Sequence, residues 1–269
     1  MRAIRGIPQV VCTTLFALLS YTTARGSVLF SDGFTYPTGA LSGNTNNDGE
    51  SWSAFGGSPT VVSPGLSYPG VASSGNELEL QGANGDGAAL SLPSTAGGTG
   101  GASDVWLSFL FDSSASSATG FAVVGLGSSS GDSVGVGMLD NTGHYGIDDN
   151  LESPVMRANT STPVNTTLTY VVCDFNFSSA MEYIWIDPAT GVNLTDTSAA
   201  ASVTMLSGIQ TSGFDSIAVN SGQTSADYNV DEIRLGTTYA DVSPVPEPGA
   251  VALALAGGAG ILIVRRRRK

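Results

Sequence analysis

Cations are nearly absent from the middle of this 269-residue chain. Between Ser27 and Ser243 only Arg157 and Arg234 face 22 carboxylates, a net charge of −20. A surface of that sign repels nucleic acid and anionic membranes, favours solubility and can collect divalent cations; no nucleic-acid partner is expected. Histidine occurs once, at His144, so a zinc site built from several histidines is excluded by count. Of the two cysteines, Cys12 falls in the leader described below. No intramolecular disulfide survives its removal, and Cys173, inside the apolar pattern Thr169–Phe175, is expected to be buried. No serine stands in a nucleophile elbow, and no glycine-rich loop joins a strand to a helix as a phosphate cradle would. Helical periodicity is missing from the acidic region, apart from a possible turn near Ser198 to Leu206, and no short internal repeat points to a solenoid or propeller.

Short β-branched and aromatic runs separated by turn residues fill the space instead. Val28–Phe30, Asn76–Leu80, Val105–Phe111, Phe121–Leu126, Val134–Met138, Leu168–Phe175, Met181–Ile186, Ile217–Val219 and Val230–Leu235 read as strands. In Asn76-Glu-Leu-Glu-Leu80 the alternation puts Leu78 and Leu80 inward and Glu77 and Glu79 outward. Val105–Phe111 is apolar on both faces, as in a strand between two layers. Asn84-Gly-Asp-Gly87, Asp140-Asn-Thr-Gly143 and Asp187-Pro-Ala-Thr-Gly191 supply turns. Many short strands in about 215 residues, Ser27 to Asp241, predict one all-β domain, a two-sheet jelly-roll sandwich.

The two ends carry different chemistry. Residues 1–26 hold Arg2 and Arg5, an apolar stretch from Ile7 to Leu19, and Ala24-Arg25-Gly26, the pattern of a secretory signal peptide cleaved after Gly26. Residues 242–248 form a Pro-rich linker ending in Val245-Pro246-Glu247-Pro248, whose prolines resist helix and keep the segment extended. Residues 249–264 are uncharged and apolar, and as a helix would rise roughly 24 Å, a short transmembrane span. Arg265, Arg266, Arg267, Arg268 and Lys269 follow, a stop that holds the tail in the cytoplasm. The order VPEP, short Gly/Ala/Leu helix, Arg cluster resembles the PEP-CTERM sorting signal of Gram-negative bacteria. The resemblance covers about the last 25 residues. It implies export, transient anchoring in the inner membrane, processing near Pro246-Glu247-Pro248 by an exosortase-type enzyme, and final residence at the cell surface or in the matrix of exopolysaccharide-producing cells.

A second resemblance lies at the two ends of the acidic region. Leu29-Phe-Ser-Asp-Gly-Phe-Thr-Tyr-Pro-Thr-Gly-Ala-Leu-Ser-Gly43 with Glu50-Ser-Trp52, and the closing Val230-Asp-Glu-Ile-Arg-Leu-Gly236, resemble the first and last strands of concanavalin-like (LamG-like) jelly rolls. In these domains the first and last strands commonly pair. Trp52 and Tyr145, set among loop residues, are the candidate sugar-stacking rings, because an aromatic offers an apolar face with a polar edge; Trp106 and Trp185 read as core. Gly135 and Gly137 strip one face of the strand Val134–Met138, either for close packing or for a polysaccharide lying flat, packing being the favoured reading. Asp140, Asp148 and Asp149 offer oxygen ligands suited to calcium, although ordinary turn chemistry accounts for them first. Glu77 and Glu79, on one strand face, are within reach of the separation a retaining glycosidase needs, yet the longer acidic motif of jelly-roll glycosidases is not completed. The leading expectation is a non-enzymatic exported protein contacting polysaccharide; a secreted glycoside hydrolase or lyase and a ligand-free self-assembling protein stay open.

Overall fold

The alternation of apolar and polar residues is realised as paired antiparallel strands. The computed structural model describes residues 26–71, 75–116, 119–149, 156–189, 192–223 and 226–243. The signal peptide, the Val245–Pro248 motif, the apolar segment 249–264 and the cations Arg265 to Lys269 lie outside the described residues. Along the chain come β1 (Val28–Asp32), β2 (Gly39–Ala40), β3 (Ser53–Gly56), β4 (Thr60–Val62), β5 (Glu77–Gln81), β6 (Gly87–Ala96), β7 (Asp104–Ser113) and β8 (Phe121–Gly127). They are followed by β9 (Ser133–Met138), β10 (His144–Asp149), β11 (Met156–Pro163), β12 (Thr169–Asn176), β13 (Met181–Ile186), β14 (Ala201–Thr204), α1 (Ser207–Ser212), β15 (Phe214–Gly222), β16 (Asp227–Gly236) and α2 (Tyr239–Val242).

Two sheets form. The larger runs β14-β13-β12-β7-β16-β5-β4-β2, with β1 added on β16; the smaller runs β11-β10-β9-β8-β15-β6-β3. Their inner faces meet in one core that includes Leu78 and Leu80 from β5, Leu107, Phe109 and Phe111 from β7, and Val134, Val136 and Met138 from β9. Each such side chain fully removed from water contributes about 1.5–3 kcal/mol, so the period-2 pattern fixes which face of every strand turns inward. Leu78 and Leu80 point inward as the alternation requires, and Cys173 is fully buried. The doubly apolar β7 has its reason: its other face, through Leu110, packs in a second cluster with Val71, Tyr170, Val172 and Trp185, flanked by Leu66, Tyr68 and Tyr239.

β16 organises the larger sheet. One edge pairs with β7; the other pairs with β5 through Asp227–Val230 and with β1 through Ile233–Gly236. The register slips between Asp231 and Arg234, where Glu232 adopts φ 50°. First and last strands are therefore neighbours, and Ser27 N donates to Thr237 Oγ1 at 2.9 Å while Thr237 N donates to the Ser27 carbonyl at 3.1 Å. Packing continues one residue past the expected domain end: Val242 is buried, and its carbonyl accepts from Ser108 Oγ at 2.8 Å and from the Tyr170 hydroxyl at 3.0 Å.

Strands β2, β3, β4, β6, β10, β11 and β14 escaped the sequence pattern because glycine, serine and threonine dilute their alternation. The turn expected near Ser198 to Leu206 is mostly strand β14, preceded by a 3-10 turn at Asp196–Ser198, and the helix begins at Ser207. Among the described residues no helix is long and apolar enough to cross a membrane.

Candidate functional site

The outer face of the smaller sheet is unusually bare. Register places Arg157, Asp148, Gly135, Gly125, Ala218, Ala89 and Ser53 in one row across its seven strands. Nothing larger than alanine stands between Asp148 and Ser53. The neighbouring row joins Gly146, Gly137, Val123 and Asn220. A cleft of about 630 Å³ lies here, running from Ser133 at the start of β9 to Leu139 beyond its end. Phe121 gives it an accessible apolar wall, with Val123 and Leu139 behind it at 1% exposure each, and Asn141, Asn220 and Gln223 give it amides. Asn141 and Gln223 both adopt left-handed φ, 57° and 62°, at the chain reversals that carry them to the cleft.

Gly137 is a close-approach position. A Cβ there would stand 2.5 Å from the Ala122 carbonyl oxygen, and φ is +143°, so glycine is required by strand packing. That close contact is with the neighbouring strand of the same sheet, not with a second sheet packed on the Gly135/Gly137 face.

Arg157 sets the electrostatics. Its Nε donates to Asp148 Oδ2 at 2.9 Å, its Nη2 donates to the same oxygen, and its Nη1 donates to the Asp140 carbonyl at 2.8 Å. One side chain thus ties β11 to β10 and to the β9–β10 hairpin. Burial holds the Asp148 carboxyl above the ordinary carboxylate range even though Arg157 pulls the other way. Asp148 Oδ1 has no protein partner. Mixed apolar walls and convergent amides suit an uncharged polyhydroxyl ligand, whose C–H faces and hydroxyls alternate.

Several site residues expected from the sequence lie elsewhere. Trp52 is 1% exposed; its Nε1 donates to Asp32 Oδ2 at 2.9 Å and its ring lies 6.3 Å from that of Phe34. Tyr145 is 1% exposed and meets Phe111 edge-on at 5.7 Å. Neither ring is available to stack on a sugar; the turn-rich sequence around each concealed an inward-facing position. The calcium trio does not assemble either. Asp148 and Asp149 are consecutive in β10 and so project to opposite faces: Asp148 meets Arg157, while Asp149 Oδ2 accepts from Leu206 N at 3.1 Å inside the sandwich. The cation beside Asp140 and Asp148 is Arg157 itself. Among the described residues no group of three or more His, Cys, Asp or Glu side chains is arranged to hold a metal ion.

Glu77 and Glu79 do share the outer face of the larger sheet. Glu77 Oε1 accepts from Asn229 Nδ2 at 3.1 Å, and Glu79 Oε1 accepts from Gln81 Nε2 at 3.2 Å. Burial, with help from Asp112 and Glu79, pushes Glu77 up to about 7. Asp140 and Asp148, expected as calcium ligands, do line the cleft; its other residues were missed by sequence reasoning, though one signal was available: Arg157 is one of only two cations in the acidic region.

Two antiparallel sheets packed face to face around one core define an all-β sandwich of the jelly-roll kind. No family model matches the chain, and no curated protein matches it. Solved structures do. The T. cruzi calreticulin globular domain aligns over 90% of this chain and 100% of its own, with a TM-score of 0.50 at 12% identity. The metal-free carbohydrate recognition domain of Emp46p aligns over 76% and 95%, with a TM-score of 0.42 at 9% identity. Arcelin-5, a lectin-like defence protein from Phaseolus vulgaris, aligns over 77% and 97%, with a TM-score of 0.44 at 12% identity. At such identities the likeness is one of fold.

Proposed function

We propose that this chain is an exported, non-enzymatic surface or matrix protein whose sandwich binds polysaccharide in the cleft of the smaller sheet. Its carboxyl-terminal signal directs transient inner-membrane anchoring and processing by an exosortase-type enzyme. The observation that carries the binding half is the cleft itself: a strand surface of small side chains with Phe121 as its apolar wall and amides at its edge. The sorting half rests on the order of VPEP, apolar segment and cations in residues 245–269.

Each half has its own test. Sedimentation of the full chain with the host's exopolysaccharide should be weakened about tenfold by Phe121→Ser combined with Asn220→Ala, a loss of one or two contacts, with melting temperature little changed. Unaltered sedimentation removes the cleft from the reading. Mass spectrometry of the protein recovered from its host should find the chain ending near Pro246–Pro248; an intact Arg265–Lys269 tail in a permanently membrane-bound product would overturn the sorting reading.

Hydrolysis at Glu77 and Glu79 is a second reading, favoured by their shared position on the outer face of β5, where burial pushes Glu77 up to about 7, the range a general acid needs. Release of reducing ends that Glu77→Gln abolishes would establish it, and inactivity of the unaltered chain on a broad glycan panel would dismiss it.

A further inference from the structure

A second pocket, of about 360 Å³, opens where β1 meets β16, away from the cleft. Three carboxylates line it, Asp32, Glu232 and Asp241, together with one cation, Arg234. Arg234 Nη2 donates to Glu232 Oε2 at 2.9 Å, so that pair is internally compensated. The other two carboxylates are held by neutral donors. Asp32 accepts from Phe34 N at 2.8 Å, the Tyr36 hydroxyl at 2.6 Å and Trp52 Nε1 at 2.9 Å. Asp241 Oδ2 accepts from Thr238 N at 2.9 Å and Thr238 Oγ1 at 2.8 Å. Such donors fix geometry and leave the charge uncancelled. Arg157 and Arg234 are the only cations between Ser27 and Ser243, and each is engaged with its own carboxylate. No side-chain cation of this region therefore supplies a counter-charge to Asp241, or to Asp32 when it is ionised.

We infer that the pocket binds a primary ammonium group carried on a hydroxylated ring, the chemistry of a deacetylated amino sugar. Three observations fix that class. Two uncompensated carboxylates in one recess, Asp32 only 6% exposed, favour a cationic ligand over a neutral or acidic one. Asn46 lines the same pocket, is 8% exposed, and has an amide Nδ2 with no partner, while its Oδ1 is committed to Asp48 N and Glu50 N; that spare donor calls for an acceptor oxygen on the ligand. The volume is at the lower end of small-molecule sites, and no metal-type cluster of three or more ligating side chains exists among the described residues, so an organic cation fits better than a bare ion. Burial also lifts the Asp32 carboxyl above its ordinary range, and a bound ammonium would bring it back down.

Trp52 gains a role here as the donor that orients Asp32. The site is independent of the polysaccharide cleft, and the two together would let one domain bridge two glycan strands.

Calorimetric titration of the full chain at about pH 6, where a sugar amine is protonated, distinguishes the possibilities. A glucosamine tetramer should bind, and its N-acetylated counterpart should bind at least about tenfold more weakly, the loss of one charge-assisted contact. Thr35→Trp, which fills the exposed rim, should abolish binding of the glucosamine tetramer, whereas Val192→Ser, exposed and lining neither recess, should leave it unchanged. Should Thr35→Trp fail to fold, Ser31→Lys serves instead: its tethered ammonium should displace the ligand and raise the melting temperature. Equal affinity for the two tetramers, insensitivity to both rim variants, or abolition by millimolar calcium overturns the proposal. So does binding by the full chain that vanishes in the processed chain beginning at Ser27, since the chain's own α-ammonium would then be the occupant.

Discussion

Trp52 and Glu182 show how single side chains are used in this molecule. A tryptophan in a glycine- and serine-rich segment looks like a binding ring, yet burial makes it a structural donor to Asp32. Trp52→Phe keeps the apolar bulk and removes that hydrogen bond to a carboxylate, so it should lower stability by about 1.5–3 kcal/mol in urea titration while leaving polysaccharide sedimentation unchanged. Glu182 is fully buried and meets Asp149, also fully buried, carboxyl to carboxyl across the two sheets. Burial, followed by the neighbouring Asp149 carboxyl, holds the Glu182 carboxyl well above its usual range. Glu182→Gln donates without ionising; it should raise the melting temperature at neutral and alkaline pH and have little effect in acid.

At the scale of elements, β9 and β16 depart most from regular strands. In β9 the glycines admit β8 so closely that Gly137→Ala would drive a Cβ into the Ala122 carbonyl from a backbone with φ +143°. A loss of about 1–3 kcal/mol is expected from the backbone strain alone, measurable by chemical denaturation, with weakened binding in the cleft above it. In β16 the register slip at Glu232 lets one strand pair with β5 over its first half and β1 over its second. The slip also places Glu232 and Arg234 beside Asp32 in the second pocket. The strand Val230–Leu235 was legible from its apolar residues; its slip was not, because nothing in Val-Asp-Glu-Ile-Arg-Leu marks Glu232 for a left-handed backbone.

For the whole molecule the dominant quantity is proton linkage. Burial is the first cause at Asp174, pushed up to about 8 with help from Asp104 and Asp196. It is likewise the first cause at Asp231, also pushed up to about 8, and at Glu77, near 7. In the unfolded chain all three ionise near pH 4. Between that value and 7–8 the folded protein holds more protons than the unfolded one, so stability falls as pH rises. Melting temperature should be highest in mild acid and decline steadily to about pH 8; a maximum at alkaline pH would contradict these environments. The charge of −20 adds repulsion of the same sign, so salt should raise the alkaline melting temperature by screening it.

The amino-acid sequence alone determined the fold class and the inward face of its clearest strands, because strand periodicity is local and Leu78, Leu80 or Val134 can be read two residues at a time. It also supplied the charge imbalance, which is simple counting, and the expectation of export, which rests on the two ends of the chain. Tertiary structure alone decided where the candidate sites are. Arg157 reaches Asp148 across β10 and β11, Trp52 turns inward to Asp32 twenty positions away, and Asp32 meets Glu232 from the opposite end of the domain. Those meetings depend on which strands become neighbours and in what register, and long-range pairing leaves no periodic trace in the residues that take part in it.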